Sequence, residues 1–150
     1  MRDFHTVAAA LTAAETGHLV FATLHTQNAA QSIDRIVDVF PPHQQHQTRI
    51  QLANVLHAVV TQQLLLRGDG GGLCLAVEFL LLNAAIRNLI REAKTHQIQS
   101  MIQTGVAVGM ITMETSLKSL CDRGLIGEED AMERAIDPRE MARLLGRRRH

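Results

Sequence analysis

The sequence has 150 residues, which suits one domain, and a domain of this size can bury roughly 70% of the surface that its unfolded chain exposes. Fifteen basic residues balance fifteen acidic ones, so the overall charge suggests neither a nucleic-acid partner nor a membrane partner. The two cysteines, Cys74 and Cys121, lack the spacing of a metal site, and the longest apolar stretch, residues 73–82, is shorter than the roughly 20 residues of a membrane span.

The first part of the chain predicts a helix followed by a strand. Residues 7–14 are rich in alanine and predict a buried helix, and Gly17 stands where a glycine commonly ends a helix. The apolar run at residues 18–24 then predicts a short buried strand. A helix that alternates with a buried strand is typical of an α/β domain.

Two helices are predicted next. Asn28 and Gln31 have the spacing of a capping box, and apolar residues follow them at helical spacing. The two prolines at residues 41–42 are predicted to end this helix. A longer helix is predicted from about His43, with four residues on its buried side: Leu52, Val55, Leu56 and Val59.

A β-hairpin and several helices are predicted for the rest of the chain. Residues 59–66 and 73–81 predict two strands around a glycine-rich turn at residues 68–72. The helix boundaries that follow are indicated by three residues: Asn83, Gly124 and Asp137. The predicted fold class is therefore α/β with a helical C-terminal part.

Three stretches of the sequence resemble the motifs of one family. The first is Met1-Arg2-Asp3 through Thr6 and then Ala13-Ala14-Glu15-Thr16-Gly17-His18. The second is Thr23-Leu24-His25-Thr26, and the third is Ala85-Ile86-Arg87-Asn88-Leu89-Ile90-Arg91-Glu92-Ala93-Lys94-Thr95-His96-Gln97. The second stretch matches the His box, and the third the signature motif, of the PilT-like pilus-retraction ATPases, a branch of the type II/IV secretion ATPases. The similarity covers essentially the whole chain in order. We refer to the third stretch as the coupling motif.

The resemblance implies a fold and a place within it. Residues 1–150 would form the C-terminal part of a RecA-like P-loop ATPase core with a helical C-terminal subdomain. Against the family pattern, these residues lack the N-terminal domain, the P-loop, the acidic Asp box and the acidic residue that ends the Walker B strand. A start at this methionine suggests a truncated gene, an incomplete gene prediction or an engineered boundary.

The sequence contains no Gly-x-x-x-x-Gly-Lys-Ser/Thr motif. A P-loop needs clustered backbone N–H groups and a lysine to bind the β- and γ-phosphates. The glycines at residues 68–72 have no lysine after them and precede a strand rather than a helix, so they do not predict a phosphate loop. We therefore expect this chain alone not to hydrolyse ATP and not to bind it tightly.

Several residues are candidates for the nucleotide site. From the residues alone, His25 is either a histidine at a strand end that bonds to nearby backbone or a sensor of the γ-phosphate, because imidazole can donate to a phosphate oxygen. The His-box resemblance favours the sensor and makes Thr23 and Thr26 cofactor-binding candidates. The resemblance also implies that Arg2 and Asp3 lie near Mg²⁺ and the attacking water.

The coupling motif has a basic side. Arg87, Arg91 and Lys94 follow at i, i+4 and i+7, so a continuous helix would present them as one stripe opposite Ile86 and Ile90. Such a stripe is either a solvated face or, as the resemblance implies, a surface that couples the motor to pilus retraction.

One position in the coupling motif departs from the family, which usually has glycine where Ala93 stands. Alanine favours helix over glycine by up to about 1 kcal/mol, so the turn into Lys94 is expected to be altered.

The function implied by the resemblance is that of a hexameric cytoplasmic ATPase that powers type IV pilus retraction, or twitching motility. Its substrate would be Mg-ATP, and its partners would be further copies of itself and an inner-membrane platform protein of the pilus machine, with no nucleic acid and no metal site within this chain. Two alternatives stay open. The chain could be a non-enzymatic remnant or interaction module that docks on intact ATPase subunits, or part of a pilus-extension or type II secretion ATPase.

Overall fold

The structure is a computed structural model that describes residues 3–146. Its two strands are β1, Ala58–Leu66, and β2, Leu73–Leu81. Its α-helices are α1 Phe4–Glu15, α2 Ala29–Asp38, α3 Pro42–Val55, α4 Ala84–Arg91, α5 Ile98–Thr104, α6 Met113–Asp122, α7 Glu128–Arg134 and α8 Pro138–Leu144. Short 3₁₀ helices cover Thr95–Gln97 and Val106–Val108. None of the helices in this part of the chain is both long and apolar enough to traverse a lipid bilayer.

The described residues divide into two compact units. The first consists of residues 3–59 and 81–101 and contains α1 to α4. The second consists of residues 60–80 and 102–146 and contains most of the β-hairpin and α6 to α8. The His box and the coupling motif therefore both belong to the first unit.

Local capping and an apolar face on each helix build the first unit. Helix α2 begins where the Asn28 side chain accepts a hydrogen bond from the Gln31 N–H at 2.8 Å, as the sequence predicts. Asn83 starts α4 in the same way, by accepting from the Ile86 N–H at 3.0 Å. The buried apolar residues of this unit are Val7, Leu11, Ala29, Ile33, Val37, Phe40, Leu52, Ala53, Ile86, Ile90 and Ile98. Helix α3 packs against α1, α2 and α4, and so lies at the centre of the unit.

The strand predicted at residues 18–24 is wrong. Residues 18–26 have no regular secondary structure, and Leu19 and Phe21 are 77% and 87% exposed. An extended segment becomes a strand only when a neighbouring strand pairs with its N–H and C=O groups. Among residues 3–146 the sheet contains only β1 and β2, so this segment has no such neighbour despite its apolar composition.

The second unit is built on the β-hairpin, which the sequence predicts to within one residue at each end. One face of the hairpin packs on α6, α7 and α8 around a core that includes Leu65, Ala76, Met113, Leu117 and Met141. The other face exposes five large apolar side chains: Val60, Leu64, Leu66, Leu73 and Leu75. The alternation follows from the strand geometry, because successive side chains point to opposite faces.

A buried carboxylate anchors the last helices of the second unit. Glu114 is fully buried in the first turn of α6 and accepts hydrogen bonds from the Ile136 and Asp137 N–H groups at 3.0 and 2.8 Å. Asp137 in turn caps α8 by accepting from the N–H groups of Arg139 and Glu140, as predicted. The segment between α7 and α8 is therefore tied to α6 through Glu114 and to α8 through Asp137.

Candidate functional site

The His box lies beside a shallow, open depression of about 600 Å³ at the start of α2. His25 is exposed, and the structure gives its imidazole no hydrogen-bond partner among residues 3–146. Thr26 is half-buried, and its Oγ1 lies 2.6 Å from Ser32 Oγ on α2. The lining of the depression consists of His25, Thr26, Gln27, Gln31, Asp34, Arg35 and Asp38.

The chemistry of this depression suits contact with a charged ligand. An imidazole with no hydrogen-bond partner among the described residues can donate to an oxygen of a ligand, and the lining carries the positive charge of Arg35 together with the carboxylates of Asp34 and Asp38. Of the two interpretations of His25, the backbone-bonded histidine at a strand end finds no support, because the segment forms no strand and no such bond. Thr23 is exposed and does not line the depression, so its binding role stays a prediction.

Asp3 has a structural task at the start of α1. Its Oδ1 accepts a hydrogen bond from the Thr6 N–H at 2.9 Å, and its Oδ2 accepts from the Thr6 hydroxyl at 2.8 Å. These hydrogen bonds hold the pKa of the Asp3 carboxyl below its usual value, and the bond from the Thr6 N–H has the larger effect of the two. Its predicted place near Mg²⁺ and the attacking water stays a prediction, and Arg2 lies outside the described residues.

The coupling motif contributes α4, and the two isoleucines of this helix are fully buried as predicted. On its other side, Arg87 Nη1 donates to the carbonyl oxygens of Ala53 and Asn54, the latter at 3.0 Å. These carbonyls belong to the last turn of α3, where no helical N–H group is available to them. A guanidinium there also carries positive charge at the negative end of the α3 dipole. Arg87 therefore caps the end of α3.

Arg91 extends this contact between α4 and α3. Its Nη1 donates to Asn88 Oδ1 and its Nη2 to Asn54 Oδ1, both at 2.9 Å. Both motif arginines are half-buried rather than free on a solvated stripe. Lys94 does not share their face, because α4 ends at Arg91, and its Nζ pairs with Glu92 Oε2 at 2.8 Å. A continuous basic stripe required a helix that persists to Lys94, and this condition is not met; the coupling role itself is not tested by these contacts.

The end of α4 is set by Ala93, which has φ +57° and is the one non-glycine residue with positive φ among residues 3–146. The Ala93 N–H donates to the Ile90 carbonyl at 3.2 Å, and the Lys94 N–H donates to the Leu89 carbonyl at 2.8 Å. This pair of bonds is the Schellman motif. The same motif ends α1 at Gly17 and α6 at Gly124, where the residue is glycine. Alanine has thus not abolished the turn but occupies its left-handed position.

Thr95 joins the coupling motif to α2. Its hydroxyl Oγ1 lies 3.0 Å from both carboxylate oxygens of Asp34, and the residue is only 7% exposed. Arg49 on α3 approaches the same carboxylate, with Nη1 3.6 Å from Oδ1. Asp34 also lines the depression beside His25. The contacts of Asp34 therefore connect α2, α3 and the turn after α4.

The remaining motif residues are exposed at the protein surface. They are Ala85, Asn88, Glu92, Lys94, His96 and Gln97, whereas Leu89 is half-buried. Within the described part of the chain, no group of three histidine, cysteine, aspartate or glutamate side chains is arranged to hold a metal ion. Asp34 and Arg49 were not singled out from the sequence. No motif or spacing in the sequence points to either residue, because their contacts join residues that are far apart along the chain.

Comparison with known proteins places this geometry in a family. A family profile described as "Type II/IV secretion system protein" matches residues 1–69. The chain is 53% identical over 142 residues to the "Twitching motility protein" of Neisseria gonorrhoeae, covering 95% of this chain and 38% of that protein. It is 51% identical over 138 residues to the "Type IV pilus retractation ATPase PilT" of Pseudomonas aeruginosa, covering 92% and 40%. The chain belongs to the type II/IV secretion ATPase family.

A solved structure supports the same assignment. The crystal structure of the pilus retraction motor PilT with bound ADP superposes with a TM-score of 0.85 at 52% identity, over 95% of this chain and 40% of that one. The predicted resemblance to the PilT-like branch is thereby confirmed, as is the α/β fold class of a C-terminal ATPase part. The chain spans only 38% and 40% of the length of the two relatives named above, so what those proteins do as a whole is a separate question.

Proposed function

We propose that this chain is part of an ATP-hydrolysing motor that drives retraction of type IV pili. The observation that carries the proposal is that one compact unit contains both the coupling motif and His25, which has no hydrogen-bond partner within residues 3–146. Asp34 lines the depression beside His25 and bonds to Thr95 of the motif. Support also comes from the relatives, which are named for twitching motility and pilus retraction and align with 95% and 92% of the chain.

In the proposed motor, His25 donates a hydrogen bond to a γ-phosphate oxygen of ATP and loses that contact when the phosphate leaves. Catalysis of phosphoryl transfer depends mainly on positioning and on electrostatic stabilisation of the phosphates. The phosphate cradle and the base that orients water come from outside these residues, because the sequence has no lysine-bearing phosphate loop. Mg²⁺ would neutralise charge on the phosphates, but the described residues offer no ligand set for it and Asp3 is engaged by Thr6.

The proposal extends to the assembly. The motor is a homohexamer in the cytoplasm, peripheral to the inner membrane through a platform protein of the pilus machine. The coupling motif transmits the loss of phosphate to that machine. Arg87 and Arg91 hold α4 on α3, so a shift of α3 would carry the motif with it.

A second candidate is an interaction module that docks on intact ATPase subunits. The observation that favours it is the exposed apolar segment with Leu19 and Phe21, which could pair with a strand of another chain. In that case the chain alone would alter the activity of a full-length relative when the two are mixed.

The experiment is a chimera. The region of the Neisseria gonorrhoeae protein that aligns with this chain is replaced by these residues, and phosphate release and pilus retraction are measured. We expect both activities, and we expect His25→Ala to remove phosphate release while the chimera still assembles. The matched control is His46→Ala, an exposed histidine on α3 of the same unit that lies outside both the depression and the coupling motif. A chimera that assembles like the parent protein but shows neither activity would refute the proposed function.

A further inference from the structure

We infer that Thr95 is a positioning residue whose hydrogen bond to Asp34 links occupancy of the His25 depression to the coupling motif. The inference rests on the proposed function, because it names the contact through which the nucleotide site acts on the motif. Thr95 and Asp34 are 61 residues apart in the sequence and meet through their side chains.

The contact is well suited to a specific link. A threonine hydroxyl has one proton to donate, and it lies 3.0 Å from each Asp34 oxygen, so the proton can be shared between them or exchanged. Hydrogen bonds to an ionised acceptor are roughly twice as strong as neutral ones. Because Thr95 is almost fully buried, water does not readily replace the carboxylate.

Asp34 also faces the nucleotide side. Its carboxyl is partly exposed, lines the depression with His25, and has Arg49 on α3 as its ion-pair partner. An anionic phosphate in the depression repels this carboxylate and favours positions turned toward Thr95 and Arg49. Departure of the phosphate removes that bias. The carboxylate therefore responds to the same event that His25 is proposed to sense.

Thr95 connects the Asp34 carboxylate to α4 through the backbone. It begins the short 3₁₀ helix Thr95–Gln97, directly after the Schellman motif in which the Lys94 N–H binds the Leu89 carbonyl. A movement of Thr95 therefore displaces the last turn of α4 through the three residues between them, whose backbone is held by the Schellman motif. At that turn Arg91 holds Asn54 on α3, so the pull acts on the α3–α4 pair.

The first test uses the chain itself and asks whether the link exists. The unfolding equilibrium is measured in urea for Thr95→Val, Asp34→Ala and the double variant, with Thr95→Ser as the variant that keeps the hydroxyl. We expect each of the two single variants to raise the unfolding constant about tenfold, the double variant to raise it little more than either, and Thr95→Ser to stay closer to the parent. Strictly additive effects of the two changes would show that no link exists and would overturn the inference.

The second test uses the chimera and asks whether the link acts in coupling. We expect Thr95→Val to lower retraction at least about fivefold while kcat and KM for ATP stay within about twofold, and Thr95→Ser to retain both activities. Normal retraction in Thr95→Val, or equal losses of retraction and ATP turnover, would overturn the inference. An unmodified chimera without either activity would instead refute the proposed function, and the urea measurements would still decide whether Thr95 and Asp34 are coupled.

Discussion

Ala93→Gly should stabilise this protein, against the general rule that glycine weakens a helical region. Ala93 is the C′ residue of a Schellman motif and has φ +57°, whereas the equivalent positions after α1 and α6 are Gly17 and Gly124 with φ +90° and +66°. An L-residue in the left-handed region carries a steric cost between its Cβ and the following carbonyl oxygen. Glycine has no Cβ and removes this cost without changing the hydrogen bonds.

The expected size follows from two opposing terms. Removing the left-handed strain should raise the free energy of unfolding by about 1–2 kcal/mol, whereas the greater freedom of glycine in the unfolded chain should lower it by about 0.4–1 kcal/mol. The net gain is about 1 kcal/mol in the free energy of unfolding. For a protein of this length that gain corresponds to a rise in Tm of about 2–4 °C.

The assay is urea and thermal unfolding followed by circular dichroism, with two controls. Gly124→Ala introduces alanine at the C′ position of α6, where a Cβ would meet no atom within 4 Å, so it should destabilise by a similar amount through strain alone. Ala9→Gly, on the exposed side of α1, should destabilise by roughly 0.5–1 kcal/mol through helix propensity. If Ala93→Gly behaves like Ala9→Gly, the left-handed geometry at residue 93 does not carry the assumed strain.

Further predictions concern ATP turnover, the two motif arginines, Asp3 and the exposed face of the hairpin. The chain alone should release no phosphate from Mg-ATP above a protein-free blank, because its sequence has no phosphate loop; turnover that His25→Ala abolishes would contradict this. Arg87→Ala should lower the free energy of unfolding by about 1–3 kcal/mol because two carbonyls of α3 lose their donor, and a stability equal to that of the parent would refute the cap. Arg91→Ala in the chimera should reduce retraction more than ATP turnover. Since the pKa of Asp3 is lowered in the folded state, its contribution to stability should be present above its unfolded pKa of about 4 and lost as the pH falls through the folded pKa; Tm profiles should show a weaker acid dependence for Asp3→Asn, and identical profiles would rule this out. The exposed hairpin face should cause self-association at high concentration, so Leu64→Lys should reduce light scattering, and a sharp monomer for the parent chain would contradict it.

The features that the sequence predicts well are those that nearby residues determine. Asn28 and Asn83 were placed correctly as helix caps because a cap needs only a short polar side chain and an N–H group three residues later. The β-hairpin was placed to within a residue because its alternation and its glycine-rich turn are local signals. His25 and the coupling motif were found through the family resemblance rather than through any physical pattern.

The features that the sequence missed depend on distant partners. Residues 18–24 look like a strand, but a strand needs a neighbour that composition does not supply. Lys94 was assigned to the face of Arg87 and Arg91 because nothing in its spacing reveals that α4 stops three residues earlier. The contact of Asp34 with Thr95 joins residues 61 apart, and single-sequence periodicity carries no information on such a pair.

The glycine-rich tip of the hairpin offers a place to attach a reporter. Gly70 and Gly72 have positive φ, and a Cβ at either would meet no atom within 4 Å, so the space around these two residues is open. Its conformation is fixed mainly from within, by the Arg67–Asp69 pair and by the bond from the Gly71 N–H to Asp69 Oδ1 at 2.8 Å. Exposed loop tips of this kind tolerate insertions well. A short tag or a fluorophore-bearing cysteine inserted between Gly70 and Gly71 would make the protein visible in a working pilus machine while its caps, helices and sequence motifs stay unaltered.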